Sequence, residues 1–173
     1  SQRAILQAFD PVVGATGTWT TLLPMPAARA GAGGGVIDGK LYVVGGTAGS
    51  TTVGTLEVYD PGTNSWATRA AMPTPRSLPA TAVINGILYV FGGYTGSAYT
   101  TVVEAYDPLS NTWSSDASLP TARGYFGAAV VAGVEEDRHV VVGADHGVAG
   151  DERGADLAGV GIEGADADVE ARV

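Results

Sequence analysis

A repeat of 47 residues organises the chain from its N-terminus to about residue 133. Three residue types recur singly at this interval, as Trp19, Trp66 and Trp113, as Arg29, Arg76 and Arg123, and as Pro26, Pro73 and Pro120. Two short motifs recur with them, Gly45-Gly46 as Gly92-Gly93 and Tyr59-Asp60-Pro61 as Tyr106-Asp107-Pro108. An earlier Phe9-Asp10-Pro11 lies three residues further from its tryptophan. This agreement across several residue types indicates structural units that stack on one another.

Each unit has the pattern of four short β-strands joined by tight turns. In VIDGKLYVVGG and AVINGILYVFGG, apolar runs flank Asp38-Gly39 and Asn85-Gly86, dipeptides that adopt the positive φ angles of a two-residue hairpin. The β-prone runs TLEVYDP and VVEAYDP follow, and each ends at Asp-Pro because proline removes a ladder donor and begins a turn. A strand that carries the tryptophan completes the unit. Since no segment shows a helical period, the repeat predicts an all-β propeller in which each unit is one blade.

These residues resemble the Kelch motif, which is marked by a Gly-Gly pair and by a Tyr and a Trp at fixed offsets. The elements LYVFGG, VEAYDP and NTW carry the resemblance, which covers residues 9–133. It implies a Kelch-type β-propeller fragment of about three four-stranded blades in part or whole, with a divergent C-terminal tail. The expected divisions are a half blade at 1–28, blades at 29–75 and 76–122, the start of a further blade at 123–133, and the tail at 134–173.

The repeated markers are first expected to have structural roles. The Gly-Gly pairs should admit a neighbouring backbone where a Cβ would clash, and the Tyr and Trp rings should fill the space between blades. The glycine-rich stretch GAGGGV at residues 31–36 lacks the spacing GxGxxG and begins no helix, which excludes a nucleotide-binding loop.

Two interpretations stay open for the three arginines that follow the proline-containing turns, Arg29, Arg76 and Arg123. In the first, they form buried ion pairs between strands with Glu57 and Glu104, which also lie 47 residues apart. The second follows from the Kelch resemblance, which implies that such arginines point into the mouth of the central channel and bind an acidic ligand. The planar guanidinium group suits this role because it meets a carboxylate with two bonds. In the same resemblance Tyr94, directly after the second Gly-Gly pair, lies on this loop face and joins the ligand-binding set.

The last 40 residues differ from the repeats in charge and composition. Residues 1–133 carry seven acids and six bases, a net charge of −1, whereas residues 134–173 carry eleven acids and three arginines, a net charge of −8. The run RHVVVGA aligns with ILYVFGG, so one interpretation of the tail is a decayed blade. Of its 40 residues, 33 are Val, Ala, Asp, Glu or Gly, whose codons begin with G. This bias supports a second hypothesis, a non-native reading frame, which the DNA of the gene would test.

Both histidines of the chain, His139 and His146, lie in this tail. They are seven residues apart, which places them on opposite faces of a strand, and no helical metal-binding spacing is present. We therefore expect no metal site and no catalytic site there. The many carboxylates around them are interpreted as a solvated acidic segment.

Composition excludes several function classes. The chain has no cysteine, which excludes disulfides, zinc–thiolate sites and thiol nucleophiles. Its net charge of −9 argues against nucleic acid as a partner, since such binding rests on basic residues. No apolar run approaches the length of a membrane span.

The Kelch resemblance implies a binding module. Because the sequence holds no catalytic constellation, we expect no enzyme activity, and we expect no cofactor. Its expected partner is a protein or peptide that presents acidic groups to the loop arginines, and unclosed blades predict self-association. Two alternatives stay open, a fragment of a Kelch-like enzyme of the sugar-acid epimerase or copper radical oxidase type, and a cell-surface carbohydrate-binding propeller. The oxidase type needs a Tyr–Cys cross-link, which this chain cannot form. An epimerase needs acid–base groups on the channel loops, where only Asp116 and the arginines are available.

Overall fold

The structure, a computed structural model, describes residues 4–11, 16–132 and 138–142. Its regular elements are β-strands of two to five residues: β1 Leu6–Asp10, β2 Thr18–Leu22, β3 Gly33–Ile37, β4 Lys40–Val44, β5 Thr47–Ala48, β6 Thr51–Thr52, β7 Leu56–Asp60, β8 Ser65–Arg69, β9 Ala80–Ile84, β10 Ile87–Phe91, β11 Val103–Asp107, β12 Thr112–Asp116, β13 Ala128–Ala132 and β14 Arg138–Val142. Among the described residues no helix is long and apolar enough to cross a membrane.

Two four-stranded antiparallel sheets form the centre of the molecule. The first blade has the strand order β3-β4-β7-β8, and the second blade has the equivalent order β9-β10-β11-β12. Two further antiparallel pairs flank them, the N-terminal strand pair β1–β2 and the C-terminal strand pair β13–β14, and β5–β6 is a small hairpin within a loop of the first blade. The first strands of successive blades, β3, β9 and β13, lie against one another. The predicted all-β architecture with four-stranded blades is thus confirmed.

The hairpin turns form where the sequence predicts them. Asp38 and Gly39 have φ angles of 49° and 73°, and Asn85 and Gly86 have φ angles of 51° and 79°. Such left-handed pairs twist in the same sense as the strands that they join. They set the register in which Ile37 lies opposite Lys40.

The hydrophobic core lies between the blades. Val44 and Leu56 of the first blade and Leu88, Val90 and Tyr106 of the second have no solvent exposure and belong to one cluster. The third strand of each blade, β7 or β11, is buried on both faces along four of its five residues. A second cluster, between the second blade and the C-terminal strand pair, consists of Ala80, Ala82, Phe91, Val103 and Phe126.

The Gly-Gly pairs lie where the backbone of a neighbouring segment approaches closely. A Cβ added at Gly46 would lie 2.8 Å from the carbonyl oxygen of Ala30, and one added at Gly93 would lie 2.7 Å from that of Ser77. Both glycines also have φ angles above 100°. The predicted role of these pairs is confirmed, since a side chain at either position would meet backbone.

Candidate functional site

The connections between strands lie at two ends of the blades. One end, which we call the loop face, carries the segments 23–32, 70–79 and 117–127 between sheets and the loops 45–55 and 92–102 within them. The opposite end, the turn face, carries the two hairpin turns and the Asp-Pro turns. Alternate connections lie at opposite ends because every strand runs antiparallel to its neighbour.

Paired backbone hydrogen bonds hold the loops of the loop face together. The N–H groups of Ala30 and Thr47 each donate to the carbonyl oxygen of the other, at 3.1 and 2.8 Å. Ser77 and Tyr94, which lie 47 residues further along, make the same exchange at 2.9 and 2.7 Å. The inter-blade segments 23–32 and 70–79 are therefore each fixed to the adjacent loop by two hydrogen bonds, which limits the motion of both.

A second set of hydrogen bonds links successive blades on this face. The N–H of Leu78 donates to the carbonyl of Gly31 at 2.6 Å, and the N–H of Tyr125 donates to the carbonyl of Leu78 at 3.2 Å. All three residues have φ angles between 57° and 64°, and they lie 47 residues apart. This conformation is uncommon for bulky residues, so the surrounding contacts must hold it. The side chains of Leu78 and Tyr125 consequently project from a fixed backbone.

Arg29 and Arg76 make equivalent ion pairs inside the blades. Arg29 donates to the carboxylate of Glu57 and Arg76 to that of Glu104, and both arginine side chains are fully buried. Each guanidinium group also donates to a strand carbonyl, Arg76 to that of Val90 at 3.0 Å. Burial lowers the pKa of Arg76, and the hydrogen bond that Arg76 donates to Glu104 opposes part of that shift.

These contacts correspond to the ion-pair interpretation of the two residues. Each guanidinium group already has a carboxylate partner within the chain. Direct contact of Arg29 and Arg76 with a ligand therefore stays a prediction.

Arg123 differs from the other two arginines. Within the part of the chain that the structure describes, no carboxylate forms an ion pair with it. Its buried Nε atom has no hydrogen-bond partner, which is also true of Arg29 and Arg76. The offset of 28 residues that separates each of the other arginines from its glutamate leads from Arg123 to Asp151, which lies outside the described residues. The role of Arg123 in ligand binding also stays a prediction.

Three tyrosines lie together on the loop face, and we call them the tyrosine patch: Tyr94, Tyr99 and Tyr125. The rings of Tyr94 and Tyr99 meet edge to face with centroids 5.5 Å apart. The ring of Tyr99 lies against Gly124, where an added Cβ would be 2.9 Å from the ring, and Tyr125 follows directly. Tyr99 is 39% exposed and Tyr125 is 52% exposed. The sequence resemblance indicated Tyr94 alone among the three. The 47-residue interval that aligns Tyr125 with Leu78 was a signal that could have indicated a second member.

Charge is distributed unequally between the two faces. The loops 45–55 and 92–102 contain no charged residue. Acidic side chains instead occupy the turn face, where Asp60 forms an exposed ion pair with Lys40 at 2.8 Å and Asp107 accepts from the Leu109 N–H at 2.8 Å. These two loops thus lack the negative charge that dominates the chain, whereas the exposed Asp116 lies at the end of β12, next to the loop-face segment 117–127.

The acid–base candidates of the enzyme alternative do not converge on one another. Asp116, at the end of the outer strand β12, is exposed and accepts a hydrogen bond from the N–H of Ala117 at 2.6 Å. Arg29 and Arg76 are paired elsewhere with their own glutamates. The described residues include no group of three or more His, Cys, Asp or Glu side chains that could hold a metal ion. His139 lies on β14 and His146 lies outside the described residues.

The blades have four strands each, pack face to face and repeat every 47 residues. This architecture defines the protein as a β-propeller built from sequence repeats. Residues 5–143 match the family described as the KLHDC2/KLHL20/DRC7 Kelch-repeats domain. The chain belongs to the Kelch-repeat family, whose propellers are generally non-catalytic and typically bind proteins.

Two known proteins illustrate the relationship. The chain is 40% identical over 65 residues to Kelch-like protein terF of Aspergillus terreus (strain NIH 2624 / FGSC A1156), an alignment that covers 35% of this chain and 14% of that protein. The solved structure described as "Structure of YjhT" matches with a TM-score of 0.64 and 22% identity, over 72% of this chain and 48% of the other. That likeness shows the fold. The chain therefore spans less than half the length of either protein.

Proposed function

We propose that the chain is a protein-interaction module that binds a protein or peptide partner on its loop face, at the tyrosine patch. The observation that carries the proposal is the exposure of Tyr99 and Tyr125 on loops whose backbones are fixed. Tyrosine is enriched at the centres of protein interfaces, because its ring supplies contact area and its hydroxyl supplies a hydrogen bond.

The fixed loops hold the tyrosines in position, and they also favour a high affinity for the partner. A partner that binds mobile loops must order them, and this ordering weakens association. Here the Ser77–Tyr94 exchange and the bond from Tyr125 to Leu78 exist before any partner arrives. The Arg76–Glu104 pair supports the same segment from within the blade. In this proposal the buried arginines position the loops that contact the ligand.

The charge distribution favours a partner segment that is neutral or acidic. The loops 45–55 and 92–102 carry no carboxylate that would repel one. Arg123, which has no carboxylate contact among the described residues, adds positive potential beside Tyr125. An acidic ligand for the loop face is thus part of the proposal.

Selection from a phage-displayed library of 12-residue peptides tests the proposal. Selected peptides would be titrated by fluorescence anisotropy against the parent chain and against Tyr99→Ala and Tyr125→Ala. Both changes affect exposed side chains, so folding should persist, and each should weaken binding at least about tenfold, or 1.4 kcal/mol. The matched control is Leu109→Ala on the turn face, where the side chain is 95% exposed.

Peptides that bind both tyrosine variants with unchanged affinity, or that lose affinity for Leu109→Ala alone, would contradict the proposed face. Enrichment of Asp and Glu among the selected peptides would support the acidic ligand, and enrichment of Lys and Arg would oppose it.

A further inference from the structure

We propose that this chain associates with a second copy of itself by building shared blades. The C-terminal strand pair β13–β14 of one copy and the N-terminal strand pair β1–β2 of the other would form one four-stranded blade. The same exchange in the opposite direction would close a ring. This inference concerns self-assembly and is independent of the partner proposed for the loop face.

The two strand pairs are complementary halves of a blade. In both complete blades the second strand pairs with the third, as β4 does with β7 and β10 with β11. The strand β14 occupies the place of a second strand. The strand β1 occupies the place of a third, since it ends at Asp10 before Pro11 as β7 ends at Asp60 before Pro61. Among the described strands, β14 pairs only with β13 and β1 only with β2. Among the described strands, each pair thus has the unpaired edge that the other needs.

Equivalent side chains show which surface the missing strands would cover. Leu88 and Val90 of the second blade are fully buried, and β3 of the first blade covers them. An added Cβ at Gly35 of β3 would lie 3.0 Å from Leu88. Their counterparts in the first blade, 47 residues earlier, are the half-buried Leu41 and Val43, and the adjacent Val36 is 60% exposed. A pair of first and second strands from another copy would bury this surface.

The tryptophans indicate the same missing neighbour. The indole N–H of Trp113 donates to the carbonyl of Ala70 at 2.8 Å, and that of Trp66 donates to the carbonyl of Leu23 at 3.0 Å. Both acceptors lie at the end of the preceding blade. Trp19 is 67% exposed. The position equivalent to Ala70 and Leu23 is Ala117, at the end of the second blade, so the shared blade would place Trp19 of one copy against Ala117 of the other.

Arg123 would also gain a partner in the shared blade. The third strands LEVYD and VEAYD supply Glu57 and Glu104 to the arginines of the complete blades. In β1 the sequence is LQAFD, and Gln7 stands where the glutamates stand. Gln7 is exposed within its own chain. Its amide oxygen could accept from the guanidinium group of Arg123 in the second copy.

The number of blades favours a ring of two copies. The described strands of one copy form two complete blades and two strand pairs, and propellers have typically four to eight blades. A ring of two copies has six blades and lies within this range, whereas a ring of three copies has nine and lies outside it. The interface is isologous, since each copy gives and receives one strand pair.

Sedimentation velocity of the 173-residue chain over a range of concentrations tests the proposal. We expect a monomer–dimer equilibrium with no larger species. Val36→Asp should shift it to monomer, because the carboxylate would be buried in the shared blade, and Leu109→Asp on the turn face should leave it unchanged. Both side chains are exposed in the monomer, so circular dichroism should show folded chains. A monomer at every concentration, or a dimer that Val36→Asp does not weaken, would overturn the proposal.

A gain-of-affinity variant tests the specific pairing. Gln7→Glu would recreate the ion pair of the complete blades and should lower the dimer Kd at least about tenfold, equal to 1.4 kcal/mol. Adding Arg123→Glu to Gln7→Glu should reverse the gain, because two carboxylates would then face each other. If Gln7→Glu leaves the Kd unchanged while Asp151→Asn destabilises the monomer, Arg123 has its partner within its own chain and the proposed pairing is wrong.

Discussion

The first and second blades have nearly the same sequence pattern and the same strand order, yet their side chains are buried to different extents. Leu88 of the second blade is fully buried, whereas Leu41 at the equivalent position of the first is only half-buried. Likewise Trp113 donates to a neighbouring blade, whereas Trp19 is largely exposed. In a repeat protein each unit contacts only its neighbours. The difference shows that the adjacent blade, rather than the local sequence, determines burial.

The largest expected effect concerns the arginine ion pairs. Arg76→Ala would leave the buried carboxylate of Glu104 without its partner and should lower the free energy of unfolding by roughly 3–5 kcal/mol. Arg123→Ala should cost far less, since no carboxylate among the described residues contacts Arg123. Urea unfolding of both variants measures the difference. Unchanged stability of Arg76→Ala together with weaker binding of an acidic peptide would favour the direct ligand role instead.

The next effect compares equivalent leucines. Leu88→Ala should cost about 2–5 kcal/mol, because it leaves a cavity between two blades. Leu41→Ala should cost about 1 kcal/mol, since part of that side chain already contacts solvent. Both values refer to urea unfolding at a concentration at which the chain is monomeric. Equal losses would show that the first blade is covered as completely as the second.

A smaller effect compares the tryptophans. Trp113→Phe keeps a large ring but removes the indole donor to the carbonyl of Ala70, and should cost about 1 kcal/mol. Trp19→Phe should change the stability of the monomer by less than about 0.5 kcal/mol, as is usual for exposed positions. Thermal or urea unfolding checks both. A larger loss for Trp19→Phe would indicate that its ring is packed within one chain.

The smallest effect distinguishes the two Asp-Pro turns. The pKa of Asp60 is lowered mainly by the hydrogen bond that Lys40 donates to it, and further by the one that the N–H of Gly62 donates. The pKa of Asp107 is lowered mainly by the hydrogen bond from the hydroxyl of Ser110, and further by the one from the N–H of Leu109. Folding lowers both pKa values, so the stability that these groups contribute is present above about pH 4 and is lost as the pH falls through their folded values.

Both carboxylates lie at the surface and are partly exposed, so Asp60→Asn and Asp107→Asn should each weaken the fold only slightly near neutral pH. Salt separates the two variants. Added NaCl should reduce the effect of Asp60→Asn, which breaks an ion pair, more than that of Asp107→Asn, which breaks hydrogen bonds to uncharged donors. Equal salt dependence in urea unfolding would contradict the assignment of these partners.

Local rules were sufficient to predict most of the fold from the sequence. The turns at Asp38-Gly39 and Asn85-Gly86 follow from the conformational preferences of these dipeptides, and the close backbone approach at Gly46 and Gly93 follows from the repeat. The alignment of RHVVVGA with ILYVFGG also predicts the strand that is found as β14. The residue boundaries of the blades stay predictions, as do both hypotheses for the tail, most of which lies outside the described residues.

The candidate site was harder to predict, because its geometry depends on contacts between repeats. Because the arginines and the glutamates share the 47-residue spacing, the ion pairs of Arg29 and Arg76 could be proposed from the sequence. The sequence alone could not decide between these buried pairs and arginine side chains exposed to solvent. Tyr99 and Tyr125 were missed, since their exposure depends on loop conformations that no local motif specifies. The expectation that the repeated tryptophans fill the space between blades is wrong for Trp19, because among the described residues no blade precedes it.

Acrylamide quenching of tryptophan fluorescence tests most directly the claim that a neighbouring blade determines burial. Two variants would each keep a single tryptophan at equivalent positions, one Trp19 and the other Trp113, with phenylalanine at the remaining two. At a concentration at which the chain is monomeric, we predict a markedly larger Stern–Volmer constant and a redder emission maximum for Trp19 than for Trp113. Equal quenching of the two tryptophans would contradict the claim.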